Sequence, residues 1–103
     1  MKAWSEEWRQ ALRHLAAARF YLPESLAGES ERAEAELTSY LHHTEFGLAL
    51  EVLEFMGNAN LGHAEEALFW SEMSLAARDI GLYTVSSKYE ARAAALLHAS
   101  RDT

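Results

Sequence analysis

Histidine and glutamate are the residues of this chain that could ligate a metal ion, and several of them lie close together. His42, His43 and Glu45 form one group, and His63 follows after the next loop. Helical bundles that bind two metal ions through carboxylates use Glu-x-x-His pairs, because side chains three residues apart project from the same face of a helix. None of the five histidines has a glutamate three positions before it, and no His-x-x-x-His pair occurs. The sequence therefore predicts histidines at polar helix ends, with no metal site and no cofactor.

The chain also lacks the residue patterns of the common covalent mechanisms. It has no cysteine, no Gly-x-Ser-x-Gly elbow for a nucleophilic serine and no glycine-rich loop for phosphate. Its glutamates could act only as scattered acids and bases, and two glutamates on one helix are common in proteins without catalysis. These features predict a protein that is not an enzyme.

The formal net charge of −7 is concentrated in the middle of the chain. No lysine or arginine occurs from residue 33 to residue 77, whereas eight glutamates do. Nucleic-acid binding requires cationic side chains that displace counterions from phosphates, so this charge predicts no nucleic-acid partner. A surface of one sign attracts a partner of the opposite sign, so the acidic segment favours a protein with a basic surface.

The opening segment MKAWSEEWRQALRHL interrupts its apolar residues with charged ones, unlike the continuous apolar core of a secretory signal. No apolar run approaches the roughly 20 residues that cross a bilayer. A chain without cysteine has no disulfide framework, which is typical of a reducing compartment. We therefore expect a cytoplasmic protein that has no membrane partner.

The periodicity of the apolar residues predicts the helices that must position these side chains. They run over about residues 3–21, from Ser30 to about 42, over about 45–56 and 63–80, and from a capping box at Ser87 and Glu90 onward. Pro23 closes the first helix, Thr44 is a candidate cap of the third, and Gly57 and Gly81 are candidates for left-handed residues at helix ends. Strands are not expected, because β-branched residues are scarce. The sequence predicts an all-α, compact bundle of four to five antiparallel helices in a single domain, residues 1–103.

Polar residues that include several carboxylates form one row on the third helix and another on the fourth. The first row has spacings of four, three and four, and the second has spacings of seven, so each is one stripe of a helix. The rows consist of Gly47, Glu51, Glu54 and Asn58 on the third helix and of Glu65, Glu72 and Asp79 on the fourth. Each row is either a solvent-exposed seam or an acidic strip that a basic partner recognises.

Gly47 and the three tryptophans have predicted structural roles. A glycine inside a helix costs about 1 kcal/mol relative to alanine, so Gly47 is expected where another segment approaches closely. Trp4, Trp8 and Trp70 lie at helical spacing with other apolar residues, which favours core positions over interface positions.

Two segments in the middle of the chain carry a recognisable combination of residues. The first, within residues 39–56, contains Glu-Phe-Gly-Leu-Ala-Leu-Glu at 45–51. The second contains Phe-Trp at 69–70 and then Ala-Ala-x-x-x-Gly-Leu at 76–82. In these features the chain resembles the small helical immunity proteins of bacterial polymorphic toxin systems, in particular the MafI-type group. The glycine at a fixed place within the helix is the least accidental part of the resemblance.

The resemblance implies a cytoplasmic protein that binds the C-terminal domain of a cognate toxin and blocks it, as in contact-dependent inhibition. A nuclease domain has a cationic substrate cleft, and an acidic protein could occupy that cleft as a phosphate mimic. The carboxylates expected to face the toxin are Glu45, Glu51, Glu54, Glu65, Glu72 and Asp79.

Other interpretations stay open at the level of the sequence. The same glutamates could pair with Arg13 or Arg92 across the bundle and so serve the fold. The protein could also be a non-catalytic helical adaptor or an antitoxin-like regulatory protein, and exposed apolar residues could support a homodimer.

Overall fold

Five helices make up the part of the chain that the computed structural model describes, which is residues 6–23 and 30–101. The helices are α1 (Glu6–Phe20), α2 (Ser30–His42), α3 (Phe46–Ala59), α4 (Glu66–Asp79) and α5 (Tyr83–Arg101). No strand occurs within these ranges, and the all-α prediction is confirmed. None of the helices described is both long enough and apolar enough to cross a bilayer.

Two predicted helix ends are confirmed. Helix α1 ends at Phe20, shortly before Pro23, whereas the predicted first residues 3–5 lie outside the described part of the chain. Helix α4 ends at Asp79, and Gly81 follows in the left-handed region with φ +85°. The next N–H, that of Leu82, donates to the Ala77 carbonyl at 2.8 Å, which satisfies one of the last carbonyls of the helix.

Three other predicted helix ends are wrong. Gly57 lies inside α3, which continues to Ala59, instead of following its end. Thr44 does not cap α3, because it has φ 58° and its hydroxyl donates to the His43 carbonyl at 2.6 Å. Helix α5 begins at Tyr83, about one turn before the predicted capping box at residues 87–90. At Gly57 and at the start of α5 the helix extends beyond its local signal, whereas at Thr44 the left-handed backbone places the residue outside α3.

Helix α4 lies at the centre of the bundle and supplies much of the core. It packs against α1 and α5, and α3 contacts α1, α2 and α4. The largest fully buried side chains come from α1, α3 and α4, so these three helices share one core. They are Trp70, Phe69, Leu15, Leu53, Met56 and Met73.

The core prediction is confirmed for Trp70 and wrong for Trp8. Trp70 is fully buried, with its ring centroid 4.7 Å from that of Phe69. Trp8 is 46 % exposed, and its ring centroid lies 6.1 Å from that of Phe46 at the edge of the core. Small residues and leucine fill the buried side of α1, so Trp8 lies at its rim. Trp4 lies outside the described residues.

The tight helix crossing lies at Gly57, and the prediction that placed it at Gly47 is wrong. A Cβ atom on Gly57 would lie 2.4 Å from Cε2 of Phe69 and 3.1 Å from Cη2 of Trp70. A Cβ atom on Gly47 would meet no heavy atom within 4 Å. The absence of a side chain at residue 57 therefore lets two aromatic rings of α4 contact the backbone of α3.

Two serines fix α5 against α4. The Ser74 hydroxyl donates to the Ser86 carbonyl at 3.0 Å, and the Ser86 hydroxyl donates to the Ser74 carbonyl at 2.8 Å. Both side chains are buried, and each hydroxyl finds its acceptor on the other helix. This reciprocal pair sets the register between the two helices at the beginning of α5.

Candidate interaction surface

The predicted acidic stripe of α3 faces outward. Gly47, Glu51 and Asn58 are exposed and Glu54 is half-buried, whereas the opposite side of the helix enters the core. The outward orientation follows from the apolar residues of α3, which recur at helical spacing and bury one face. The stripe is thus accessible to a partner along the length of α3.

The same face of α3 carries two exposed apolar side chains that were not among the predicted site residues. Leu48 is 42 % exposed and Phe55 is 60 % exposed, and they lie three residues before and four residues after Glu51. Those spacings place all three on one face, which is the signal that could have found them. An exposed apolar pair beside carboxylates is a feature of protein-binding surfaces.

A groove of about 340 Å³ separates this face of α3 from α2. Its residues are apolar at the bottom and charged at the edges, since Ala33 is buried whereas Arg32 and Glu51 are exposed. The lining residues are Arg32, Ala33, Glu36 and Tyr40 from α2 and Leu48, Glu51, Val52 and Phe55 from α3.

A second groove, of about 400 Å³, lies on the other side of α3, toward α5. Leu48 and Glu51 line both grooves, so α3 forms a ridge between them. The lining residues are Gly47, Leu48, Leu50, Glu51 and Glu54 from α3, Leu82 just before α5, and Val85, Lys88 and Tyr89 from α5.

Glu54 is joined to Tyr89 across the second groove. Burial raises the pKa of the Tyr89 hydroxyl well above its ordinary value, and the charge of Glu54 and a hydrogen bond with it raise the pKa further. Tyr89 therefore keeps its proton at neutral pH, and its hydroxyl is the hydrogen-bond donor toward the Glu54 carboxylate. The nearby charge of Arg92 lowers this pKa, and the charge of Glu51 raises it.

Arg92 joins α5 to the end of α3 and to the core. Its guanidinium lies 3.6 Å from the centroid of the Trp70 ring, and Nη1 donates to Oδ1 of Asn58 at 2.8 Å. The planar guanidinium can stack on the indole and reach the amide at the same time. These contacts connect the stripe of α3 to the central helix.

We expect Arg92→Lys to lower the free energy of unfolding by about 0.5–1 kcal/mol, because an ammonium cannot stack on the indole as a guanidinium does. Urea denaturation followed by circular dichroism measures the change. Arg13→Lys, on an exposed position of α1, is the matched control and should leave the midpoint unchanged. Equal losses in the two variants would contradict a specific role for the stacked guanidinium.

The second predicted row lies at the junction of α1 and α4. Glu72 Oε2 is 2.5 Å from His14 Nδ1, and Asp79 Oδ2 is 3.7 Å from His14 Nε2. The side chains of all three residues are about one-fifth exposed. Glu72 and Asp79 therefore contact a histidine of the neighbouring helix and help to hold α1 against α4. Glu65, the third member of the row, is exposed immediately before α4.

The six predicted carboxylates thus lie in four places. Glu51 and Glu54 come together at the α3–α5 groove, and Glu72 and Asp79 come together beside His14. Glu45 and Glu65 are exposed at the starts of α3 and α4, where neither makes a side-chain capping bond.

Several other glutamates of the segment without lysine or arginine have internal partners. Glu34 accepts a hydrogen bond from Arg19 Nε at 2.6 Å, and Glu36 lies 3.4 Å from Arg32 Nε. Glu66 is buried, and its carboxylate accepts hydrogen bonds from neighbouring N–H groups. These three glutamates belong to α2 and α4. The negative charge of α3 itself comes from Glu51 and Glu54 of the stripe.

The described residues include no group of three or more histidine, cysteine, aspartate or glutamate side chains that could hold a metal ion. The surface of α3 carries exposed apolar side chains next to carboxylates, and an open groove lies on either side of the helix. No family model, curated protein or solved structure matches the chain.

Proposed function

We propose that the protein is an immunity protein that binds a cognate toxin domain and neutralises it through the outward face of α3. The observation that carries the proposal is the pair of exposed apolar residues, Leu48 and Phe55, on either side of Glu51. They lie within a segment, residues 33–77, that has no lysine or arginine. The resemblance of residues 39–82 to MafI-type immunity proteins points to the same helix.

The two kinds of residue on this face have different tasks. Buried aromatic and aliphatic anchors supply most of the affinity of a protein interface, and Leu48 and Phe55 are suited to that role. Charged residues steer the encounter and fix the register, and Glu51 and Glu54 are suited to attract a cationic cleft. A nuclease is the preferred target, because its substrate cleft must be basic to bind phosphates.

The proposal places a toxin gene beside the gene of this protein, and the central test is protection of cells that express the C-terminal domain of that toxin. We expect the wild-type protein to restore growth and to co-purify with the toxin domain. The complex should form faster at about 0.05 M than at about 0.5 M salt, since screening weakens steering. A protein that neither binds nor protects would overturn the proposal. Binding without protection would favour the alternative of a non-catalytic adaptor or antitoxin-like regulator.

Charge reversal on α3 tests the surface. We expect Glu51→Lys with Glu54→Lys to weaken binding at least about 100-fold, because opposed like charges in an interface cost several kcal/mol. Glu7→Lys with Glu90→Lys changes the net charge equally at exposed positions on α1 and α5, and should bind as the wild type does. Circular dichroism must show that both variants fold, since Glu54 also bonds to Tyr89. If both double variants protect equally, the contact surface lies elsewhere.

A further inference from the structure

We infer that the groove between α2 and α3 binds an amphipathic helix of the partner, with apolar residues on its inner face and lysine or arginine along its edges. The inference rests on the proposed function for the identity of the partner. It adds to that proposal the place, conformation and chemistry of the segment that binds.

The burial of the lining residues describes a groove with an apolar interior. Ala33 is 7 % exposed and its small side chain leaves depth between the helices, while Val52 and Tyr40 are partly buried. Leu48 and Phe55 are exposed along α3. Covering these two residues would remove apolar surface from water, which is the main source of affinity available here.

A helix fits this groove better than an extended peptide does. The backbone groups of α2 and α3 are bonded within the helices, so they cannot pair with an added strand. An extended peptide would therefore leave its own N–H and C=O groups unpaired against the apolar interior. From Leu48 to Phe55 the groove follows α3 for roughly 10 Å, which is about two helical turns.

The charges at the edges of the groove select a basic partner. Glu36 lies on the α2 side and Glu51 on the α3 side. On the α2 side Arg32 Nε lies 3.4 Å from Glu36 Oε1, so these opposite charges largely offset each other and Glu51 leaves the groove negative. A second copy of this chain would bring another acidic α3 face against Glu51, whereas lysine or arginine on a partner helix would complement Glu51.

The probe for the test is a fluorescein-labelled peptide of about 14 residues in which leucine and lysine follow a helical period, long enough to cover the groove. Fluorescence anisotropy with the full-length protein measures its binding. We expect the patterned peptide to bind, and both a scrambled peptide of the same composition and a leucine–glutamate counterpart to bind at least about tenfold more weakly.

Three variants locate the binding site. We expect Leu48→Glu and Phe55→Glu each to weaken binding at least about tenfold, because each removes an apolar anchor. Leu97→Glu adds the same negative charge at a similarly exposed leucine of α5, and should bind the peptide as tightly as the wild type. The added charge alone would strengthen binding of a basic peptide, so a loss at Leu48 or Phe55 reports the apolar contact.

The outcomes are decisive in both directions. Failure of the patterned peptide to bind, equal binding of the scrambled peptide, or equal loss in all three variants would overturn the inference. A wild-type dimer in sedimentation that Phe55→Glu converts to a monomer would assign the groove to a second copy of this chain instead. If the peptide binds as expected but the protein gives no protection from the toxin, only the proposed function fails.

Discussion

Gly57→Ala is expected to lower the free energy of unfolding by about 1–3 kcal/mol, which is the usual effect of overpacking a core. The new Cβ atom would lie 2.4 Å from the ring of Phe69, which is fully buried and surrounded by other core residues. The ring cannot turn away without displacing Trp70, so α3 and α4 must move apart. This strain outweighs the roughly 1 kcal/mol by which alanine favours a helix over glycine.

Gly47→Ala is the matched control, because it makes the same change in the same helix. A Cβ atom there meets no heavy atom within 4 Å, so only the helix preference of alanine remains. We expect the free energy of unfolding to rise by up to about 1 kcal/mol. Urea denaturation of both variants checks the pair of predictions. A gain in stability at residue 57, or a loss at residue 47, would show that the crossing of α3 and α4 is assigned to the wrong place.

The two glycines illustrate which part of the fold the sequence can predict. Periodicity identified α3 and its outward stripe, because those follow from spacing along one helix. The close contact at Gly57 depends on how α3 is rotated and translated against α4, which is a relation between segments distant in the chain. The low helix propensity of glycine therefore predicts the close contact at Gly47, which lies within the predicted helix. The same local reasoning predicts a helix end at Gly57.

The start of α5 was predicted late for a similar reason. Ser87 and Glu90 have the spacing of a capping box, yet α5 already begins at Tyr83. The buried pair of Ser74 and Ser86 holds the first turn of α5 against α4. This tertiary contact stabilises residues before the local capping signal, and such a contact is not visible in a single segment of sequence.

The outward orientation of the α3 stripe was predictable, whereas the exposed apolar residues beside it were not. The absence of lysine and arginine from residues 33–77 predicts an acidic surface that includes the glutamates of α3. Leu48 and Phe55 were not predicted at the surface, because apolar residues in a mostly apolar helix are expected in the core. On α4, the seven-residue spacing selected Glu72 and Asp79, but spacing within one helix cannot reveal His14 of α1 opposite them.

The neighbouring residues Glu65 and Glu66 have opposite environments in the structure. The sequence predicts that Glu65 belongs to the interaction surface, and it predicts no role for Glu66. Glu65 is exposed, whereas Glu66 is 7 % exposed. Glu66 Oε1 accepts the Gly62 N–H at 2.8 Å, and Oε2 accepts the Trp70 indole N–H at 2.9 Å. One carboxylate thus joins the loop before α4 to the largest side chain of the core.

Glu66→Gln is expected to lower the free energy of unfolding by about 2–3 kcal/mol. A carboxylate offers two acceptor oxygens, whereas an amide offers one oxygen and one NH₂ group. The NH₂ group would face either the Gly62 N–H or the Trp70 indole N–H, and a buried donor would lose its acceptor. Glu65→Gln changes the net charge equally and should alter stability by less than about 0.5 kcal/mol.

Urea denaturation and the exchange rate of the Trp70 indole proton in ¹H–¹⁵N spectra measure this difference. In Glu66→Gln the indole proton should exchange faster, because local opening of the loop at Gly62 no longer has to break two charge-assisted hydrogen bonds. Equal stability of the two glutamine variants, with an unchanged indole exchange rate, would refute the bridging role of Glu66. The comparison thus distinguishes a buried carboxylate that stabilises the fold from an exposed neighbour whose charge can be removed without loss of stability.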